Sequence, residues 1–241
     1  MTSPVVARSR TAIFDFDGTV CIGDGPALVY AQRIAEAHPS LADLPDRLAR
    51  WSAGEALAGF EGASDGYLAV QAAASAAGVG RDVTDAAFRY ARARLAAEGL
   101  GVTTPPAFPG LASDLRAAGI AVVLVTNAPG DGLDRILSLL GIAASFDEVI
   151  ADARKPGGLD GVLDLLPHPV THARVLSVGD IWVNDLAVPR DRGAATALID
   201  PFGRGGGEPD ARGSSLDALA PWIRSWAGID ADAGRSPVTS S

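Results

Sequence analysis

Cysteine and lysine are almost missing from this chain. A single cysteine, Cys21, and a single lysine, Lys155, stand in 241 residues, while the basic residues number 20. One cysteine excludes an internal disulfide and fits a reducing, cytoplasmic setting. No apolar run approaches the length of a membrane span, and no apolar stretch before Ala12 is long enough for a secretory signal, so neither membrane nor export is expected. Positive charge is short overall. A net charge of −9 argues against nucleic acid or an anionic membrane as partner. An anionic substrate has then to be drawn in locally, by a cation or a few chosen basic groups. The scarcity of lysine has its own meaning. With 19 Arg and heavy use of Ala and Gly, the composition suggests a GC-rich coding bias that favours Arg wherever either cation serves. A lysine retained against that bias is informative.

What is present reads as a globular chain of one or two domains, 48% hydrophobic and 20% charged. Ala12-Ile13-Phe14 is a short apolar run of the kind that forms a strand buried on both faces. It ends in Asp15-Phe16-Asp17-Gly18-Thr19, two carboxylates one residue apart followed by a pair that does not extend a strand comfortably. Residues 1–10 read as a loose lead-in. From Pro26 to about Gly101 the pattern is Ala-rich and helical, four or five helices without an evident strand. Ser64 and Asp65 are candidate N-caps, and a Thr84 cap opens a helix to Glu98.

After Thr104-Pro105-Pro106 helix and apolar strand alternate. Helices are expected at 111–118, 133–140, 159–166 and 185–190, and strands at 120–125, 148–150, 174–178 and 195–199. This order predicts an α/β fold with a parallel sheet covered by helices on both faces. Residues 203–213 read as a glycine-rich loop, Leu216, Leu219, Ile223 and Trp226 mark a last amphipathic helix, and 228–241 reads as a flexible tail. There is no internal repeat.

Ligands of open parallel sheets sit beyond the carboxyl ends of the strands. There, in succession, stand Asp15 and Asp17, Thr126, Lys155, and Asp180 with Asp185. The set suits phosphoryl transfer. A carboxylate can serve as nucleophile, carboxylates can hold Mg²⁺, and a hydroxyl and an ammonium can grip the oxygens of the transferring group. Each residue also has a plainer reading. The Asp15 stretch could be an Asx turn, Thr126-Asn127 a capping turn, Lys155 a solvated loop charge, and Asp180 and Asp185 caps of the following helix. Trp182 and Cys21 read as packing residues, and His38, His168 and His172 show no ligand spacing.

Four stretches together resemble the motifs of the haloacid dehalogenase (HAD) superfamily, in that family's order. They are Asp15-Phe16-Asp17-Gly18-Thr19, Val125-Thr126-Asn127, Lys155-Pro156 and Gly179-Asp180-Ile181-Trp182-Val183-Asn184-Asp185. The resemblance implies a Rossmann-like, doubly wound parallel-sheet core over residues 8–20 and 106–227, with an inserted all-helical cap of C1 type at 21–105. It implies Asp15 as nucleophile and Asp17 as general acid and then base, with its carbonyl on Mg²⁺. Thr126, Asn127 and Lys155 would bind substrate phosphate, with Lys155 also restraining Asp15. Asp180 would ligate Mg²⁺, and Asp185 would join it or fix a metal-bound water.

Within that superfamily the residues narrow the reaction. Asp17 suits a phosphate ester, whose alkoxide leaving group needs a proton, whereas a dehalogenase has no use for that acid. A phosphonate hydrolase would be expected to carry a cap lysine, and residues 21–105 hold none. A membrane pump lacks its spans here. The expectation is a Mg²⁺-dependent phosphatase of a small phosphorylated metabolite, monomer or homodimer. A sugar phosphomutase is the alternative, and a receiver-like phosphoacceptor or a silent binding protein the non-enzymatic ones. The cap is expected to exclude water and choose the leaving group, with the glycine-punctuated stretch Trp51 to Tyr67, including Phe60 and Glu61, as specificity loop, core packing of its aromatics being the equal alternative. Arg47 and Arg50 are candidates for a second anionic group, or a solvated helix face.

Overall fold

A computed structural model describes residues 8–229; most of the expected lead-in and residues 230–241 of the expected tail lie outside the described residues. The chain opens with β1 (Arg10–Phe14), followed by four helices, α1 (Gly25–Ala37), α2 (Leu44–Ser52), α3 (Gly66–Ala76) and α4 (Arg81–Glu98). Then come α5 (Phe108–Ala117), β2 (Ile120–Val125), α6 (Leu133–Leu139), β3 (Glu148–Ile150), α7 (Leu159–Asp164) and β4 (Val175–Gly179). After a π turn at Trp182–Leu186, α8 (Ala187–Asp191), β5 (Ala195–Ile199), β6 (Ala211–Gly213) and α9 (Leu216–Ala227) complete the described chain.

Two compact units result. One holds the chain through Val20, Pro105–Ala128 and the chain from Ala144; the other holds Cys21–Thr104 with Pro129–Ala143. The first is a six-stranded sheet in the order β3-β2-β1-β4-β5-β6, with every pair parallel. It is the α/β architecture that the alternating pattern predicts and the Rossmann-like core that the resemblance implies. All residues of β2, β4 and β5 are buried, as central parallel strands require, while the edge strands β3 and β6 are short and partly exposed. Side chains alternate across β1. Phe14 meets the edge of Phe108 from α5 with ring centroids 5.4 Å apart. Ile13 joins Val123 and Val125 in a cluster with Leu159 and Leu163 of α7 on another face. The chain runs outward from β1 to β2 and β3, then returns to β4 on the other side of β1. The reversal of direction therefore falls at β1 and β4, where ligands of such sheets bind.

The second unit is helical. Tyr30, Ile34, Leu44, Leu48, Trp51, Phe60, Val70 and Ala91 form its core. Pro129–Ala143 belongs to this unit as well, and Gly132 there approaches α4 closely: a Cβ on it would lie 3.1 Å from Ala96. A lone antiparallel bridge joins Ile22 to Thr103 near the two ends of the 21–104 segment. Among the described residues no helix is long and apolar enough to cross a membrane.

Several local expectations change. Asp65 is the N-cap of α3, accepting from Leu68 N at 2.6 Å. Thr84 caps nothing: α4 begins at Arg81 after Gly80, and the Thr84 hydroxyl donates to Arg81 O. The glycine-rich loop ends in a strand, β6, fixed by Arg212, whose guanidinium reaches Asp200 and the carbonyls of Gly205, Gly206 and Gly207. Within the expected specificity loop Phe60 is packed, while most of residues 53–64 are exposed. Phe60 is 2% exposed and stands edge-on to Trp51, and Glu61 accepts from Gly59 N at 2.7 Å. Arg47 lies over the Phe60 ring and donates to Ala58 O, and Arg50 pairs with Glu55, so both guanidinia are engaged.

Candidate active site

The residues directly after β1, β2, β3 and β4, as far as Val20 and Ala128 in the first two loops, belong to the sheet unit. Asp15 N donates to Val178 O at 3.0 Å, which keeps the Asp15 backbone in the sheet at its carboxyl edge. The chain then turns sharply: Thr19 N and Val20 N both donate to Phe16 O. Gly18 sits in this turn at φ +82°, and a Cβ there would lie 2.1 Å from Asp180 Oδ2. Position 18 thus needs glycine twice over, for its left-handed backbone and for the approach of Asp180. At the end of β4 the close approach alone calls for Gly179, where a Cβ would fall 2.4 Å from that of Asp185.

Lys155 comes from the loop after β3. It is 8% exposed, and its Nζ donates to Asp15 Oδ1 and to Asp185 Oδ1, each at 2.6 Å. The reading as a solvated charge is thereby excluded. Asp185, 4% exposed, also accepts from Ile181 N at 2.9 Å through Oδ2, and its carbonyl accepts from Ser177 Oγ at 2.7 Å. Thr126 is buried, and its hydroxyl oxygen accepts from Ala128 N at 3.0 Å. This bond closes a turn and caps no helix, since α6 begins at Leu133, and the hydroxyl hydrogen remains a donor for an arriving oxygen. The Asn127 side-chain amide is directed to the Lys155 backbone. Oδ1 accepts from Lys155 N at 2.6 Å and Nδ2 donates to Lys155 O at 3.0 Å.

Charge and burial act against each other here. Burial pulls the Lys155 ammonium down, but the Asp15 and Asp185 carboxylates outweigh it and hold its pKa above the ordinary lysine value. Burial pushes the Asp185 carboxyl up and the Asp15 charge adds to it. Lys155 and the Ile181 N–H oppose the shift, which still reaches about 7.

Asp15, Asp180 and Asp185 each present a carboxylate oxygen within 4.8 Å of the others. When all three are ionised, one ammonium leaves this group with excess negative charge, which is costly away from water. A hard divalent cation with oxygen preference fits that donor set. The Asp17 carboxylate stands outside the trio; Asp17 is half-buried at the turn.

Ser177 and the Ile181 N–H were not singled out from sequence. The signal for Ser177 is a lone hydroxyl inside an otherwise apolar strand, Val175–Gly179. Trp182 lies against the glycine-rich loop, where a Cβ on Gly207 would be 1.9 Å from its ring. It is a packing residue. His168 bonds the Thr11 hydroxyl and His38 bonds Ser40.

The Gly18 contact makes a direct prediction. Gly18→Ala should displace Asp180 and weaken binding of a divalent cation by about 10–100-fold, the usual loss when a ligand's support is removed. Calorimetric titration of the folded variant reads this, and an unchanged affinity would remove Asp180 from the cation site.

A family profile described as haloacid dehalogenase-like hydrolase matches residues 12–197. No curated protein matches the sequence. Among solved structures, the magnesium-bound HAD-hydrolase YfnB of Bacillus subtilis is similar at 17% identity and TM-score 0.61, covering 90% of this chain and 99% of that one. A HAD phosphatase from Thermococcus onnurineus is similar at 19% identity and TM-score 0.57, covering 89% and 97%. The L-2-haloacid dehalogenase RSc1362 is similar at 18% identity and TM-score 0.55, covering 90% and 99%.

Proposed function

The chain belongs to the haloacid dehalogenase-like hydrolases, and from that premise we propose that it is a Mg²⁺-dependent phosphatase acting on a small phosphorylated metabolite. The observation that carries this reading is the buried ammonium of Lys155 held at 2.6 Å from both Asp15 and Asp185, with Asp180 completing a trio of carboxylates. Halide is a stable anion, so displacing it from carbon calls for neither a divalent cation nor an acid. A phosphate ester brings two negative charges and an alkoxide leaving group, and calls for both. The carboxylate trio and Asp17 match the second requirement.

Asp15, Asp180 and Asp185 would hold Mg²⁺, with the Asp17 carbonyl as a further oxygen; the bound ion neutralises charge on the phosphoryl oxygens. The Asp15 carboxylate attacks phosphorus, the bond from phosphorus to the ester oxygen breaks, and Asp17 gives that oxygen its proton. Asp17, now a carboxylate, takes a proton from water as the water attacks the same phosphorus. Inorganic phosphate leaves and Asp15 is regenerated. Lys155 keeps Asp15 aligned and ionised through both steps, and the Thr126 hydroxyl donates to a phosphoryl oxygen.

The test is a panel of phosphorylated metabolites run beside 2-haloacids. Phosphate should be released with Mg²⁺, stop on chelation and return when Mg²⁺ is restored. Halide release without phosphate release would replace the phosphatase reading by dehalogenation.

A further inference from the structure

We infer that Asn127 is a positioning residue that sets the place of Lys155, and not a group that grips substrate; the inference rests on the proposed role of Lys155 beside Asp15. The loop carrying Lys155 has an awkward backbone. Asp152 and Arg154 stand at φ 50° and 54°, in the left-handed region that side-chain-bearing residues avoid. A strained loop keeps its shape only when its surroundings over-determine it.

Here the neighbouring 126–128 segment does so. Thr126 N donates to Ile150 O, Ala153 N to Thr126 O, and Asp152 N to Ala128 O, each at 2.9 Å. These bonds fix the loop up to Ala153 and stop short of the lysine. Asn127 supplies the last two, to the N–H and the carbonyl of Lys155 itself, across 28 positions of sequence.

The chemistry of this clasp is specific to a carboxamide. One atom must accept from an N–H and its twin must donate to a C=O, at the reach of one methylene. Aspartate is isosteric but only accepts, so it would set a carboxylate oxygen against the Lys155 carbonyl. Alanine makes neither bond. With the backbone of residue 155 released, a flexible four-carbon stem no longer holds one nitrogen 2.6 Å from two separate carboxylates.

Because Lys155 is the only lysine, protein labelled with ¹⁵N-lysine has one ε-ammonium signal, and that signal reports the clasp without reference to turnover. In Asn127→Asp, and in Asn127→Ala where it folds, the Lys155 ammonium signal should move and its hydrogens should exchange faster. kcat should fall by about 10–100-fold, equally for a bulky and a small phosphate ester, with KM changed less than kcat. An unmoved ammonium signal would overturn the inference, as would a raised KM with kcat retained, which marks a substrate contact. Lys155→Met separates this from the underlying reading. If Lys155→Met keeps its rate, the role given to Lys155 fails. If it loses its rate while the Asn127 variants leave the ammonium in place, only the inference fails.

Discussion

Asp15→Asn should lose at least about 10⁴-fold in kcat, by analogy with the removal of a nucleophile from a catalytic group that acts as a unit. An amide oxygen is a poor nucleophile, and the amide also replaces one of the two negative charges beside the Lys155 ammonium by a neutral acceptor. The fold should survive the change. Asp15 stands beside Asp185, whose carboxyl is raised first by burial and then by the Asp15 charge. Removing that charge lets Asp185 ionise more readily and remain the partner of Lys155. Thermal midpoint should therefore stay within about 4 °C of the parent, a shift of roughly 1 kcal/mol for a chain of this size. A folded Asp15→Asn enzyme with full activity would end the covalent mechanism.

Lys155→Arg, which conserves charge, should lose about 100-fold or more in kcat/KM. The side chain is 4% exposed and lies between two carboxylates, so the extra width of a guanidinium has no free space. A point-like ammonium can reach two oxygens from one nitrogen; a planar fork has its donors fixed apart. Accommodating it means pushing Asp185 off the Ile181 N–H or Asp15 out of line, and errors of about 1 Å cost on the order of 100-fold in rate. Overpacking should also cost about 1–3 kcal/mol of stability. Steady-state kinetics and a circular dichroism melt read the two effects separately. Retention of most of the rate by a folded variant would show that charge alone is needed at 155.

The sheet and the composition of its edge were legible because they rest on short-range pattern. Runs such as Ile120–Val125 can be satisfied only by burial on both faces, and carboxylates at the ends of such runs have few other uses. Lysine 155 stood out through composition, since one lysine among so many arginines implies a site that rejects the exchange. What stayed hidden depends on contacts across long stretches of chain. Asn127 looks like a phosphate contact beside Thr126 until its amide is seen on a backbone 28 positions away. Phe60, in a stretch broken by glycines, looks like a loop tip; Trp51 provides the apolar surface that draws it inside. β6 has three residues and no strand pattern, and exists because β5 offers it an edge and Arg212 ties the loop before it. Thr84 is a good capping residue by type, but Gly80 is where the backbone turns into the helix.

The central claim is that Asp15 carries the phosphoryl group during turnover. Acid quenching of the Mg²⁺-supplemented enzyme during steady hydrolysis of para-nitrophenyl phosphate, followed by peptide mass analysis, tests it most directly. The account predicts one added phosphoryl group on the peptide that contains Asp15, sensitive to hydroxylamine as an acyl phosphate is, and none in Asp15→Asn. A turning-over enzyme whose only phosphoryl group maps to another residue would contradict it.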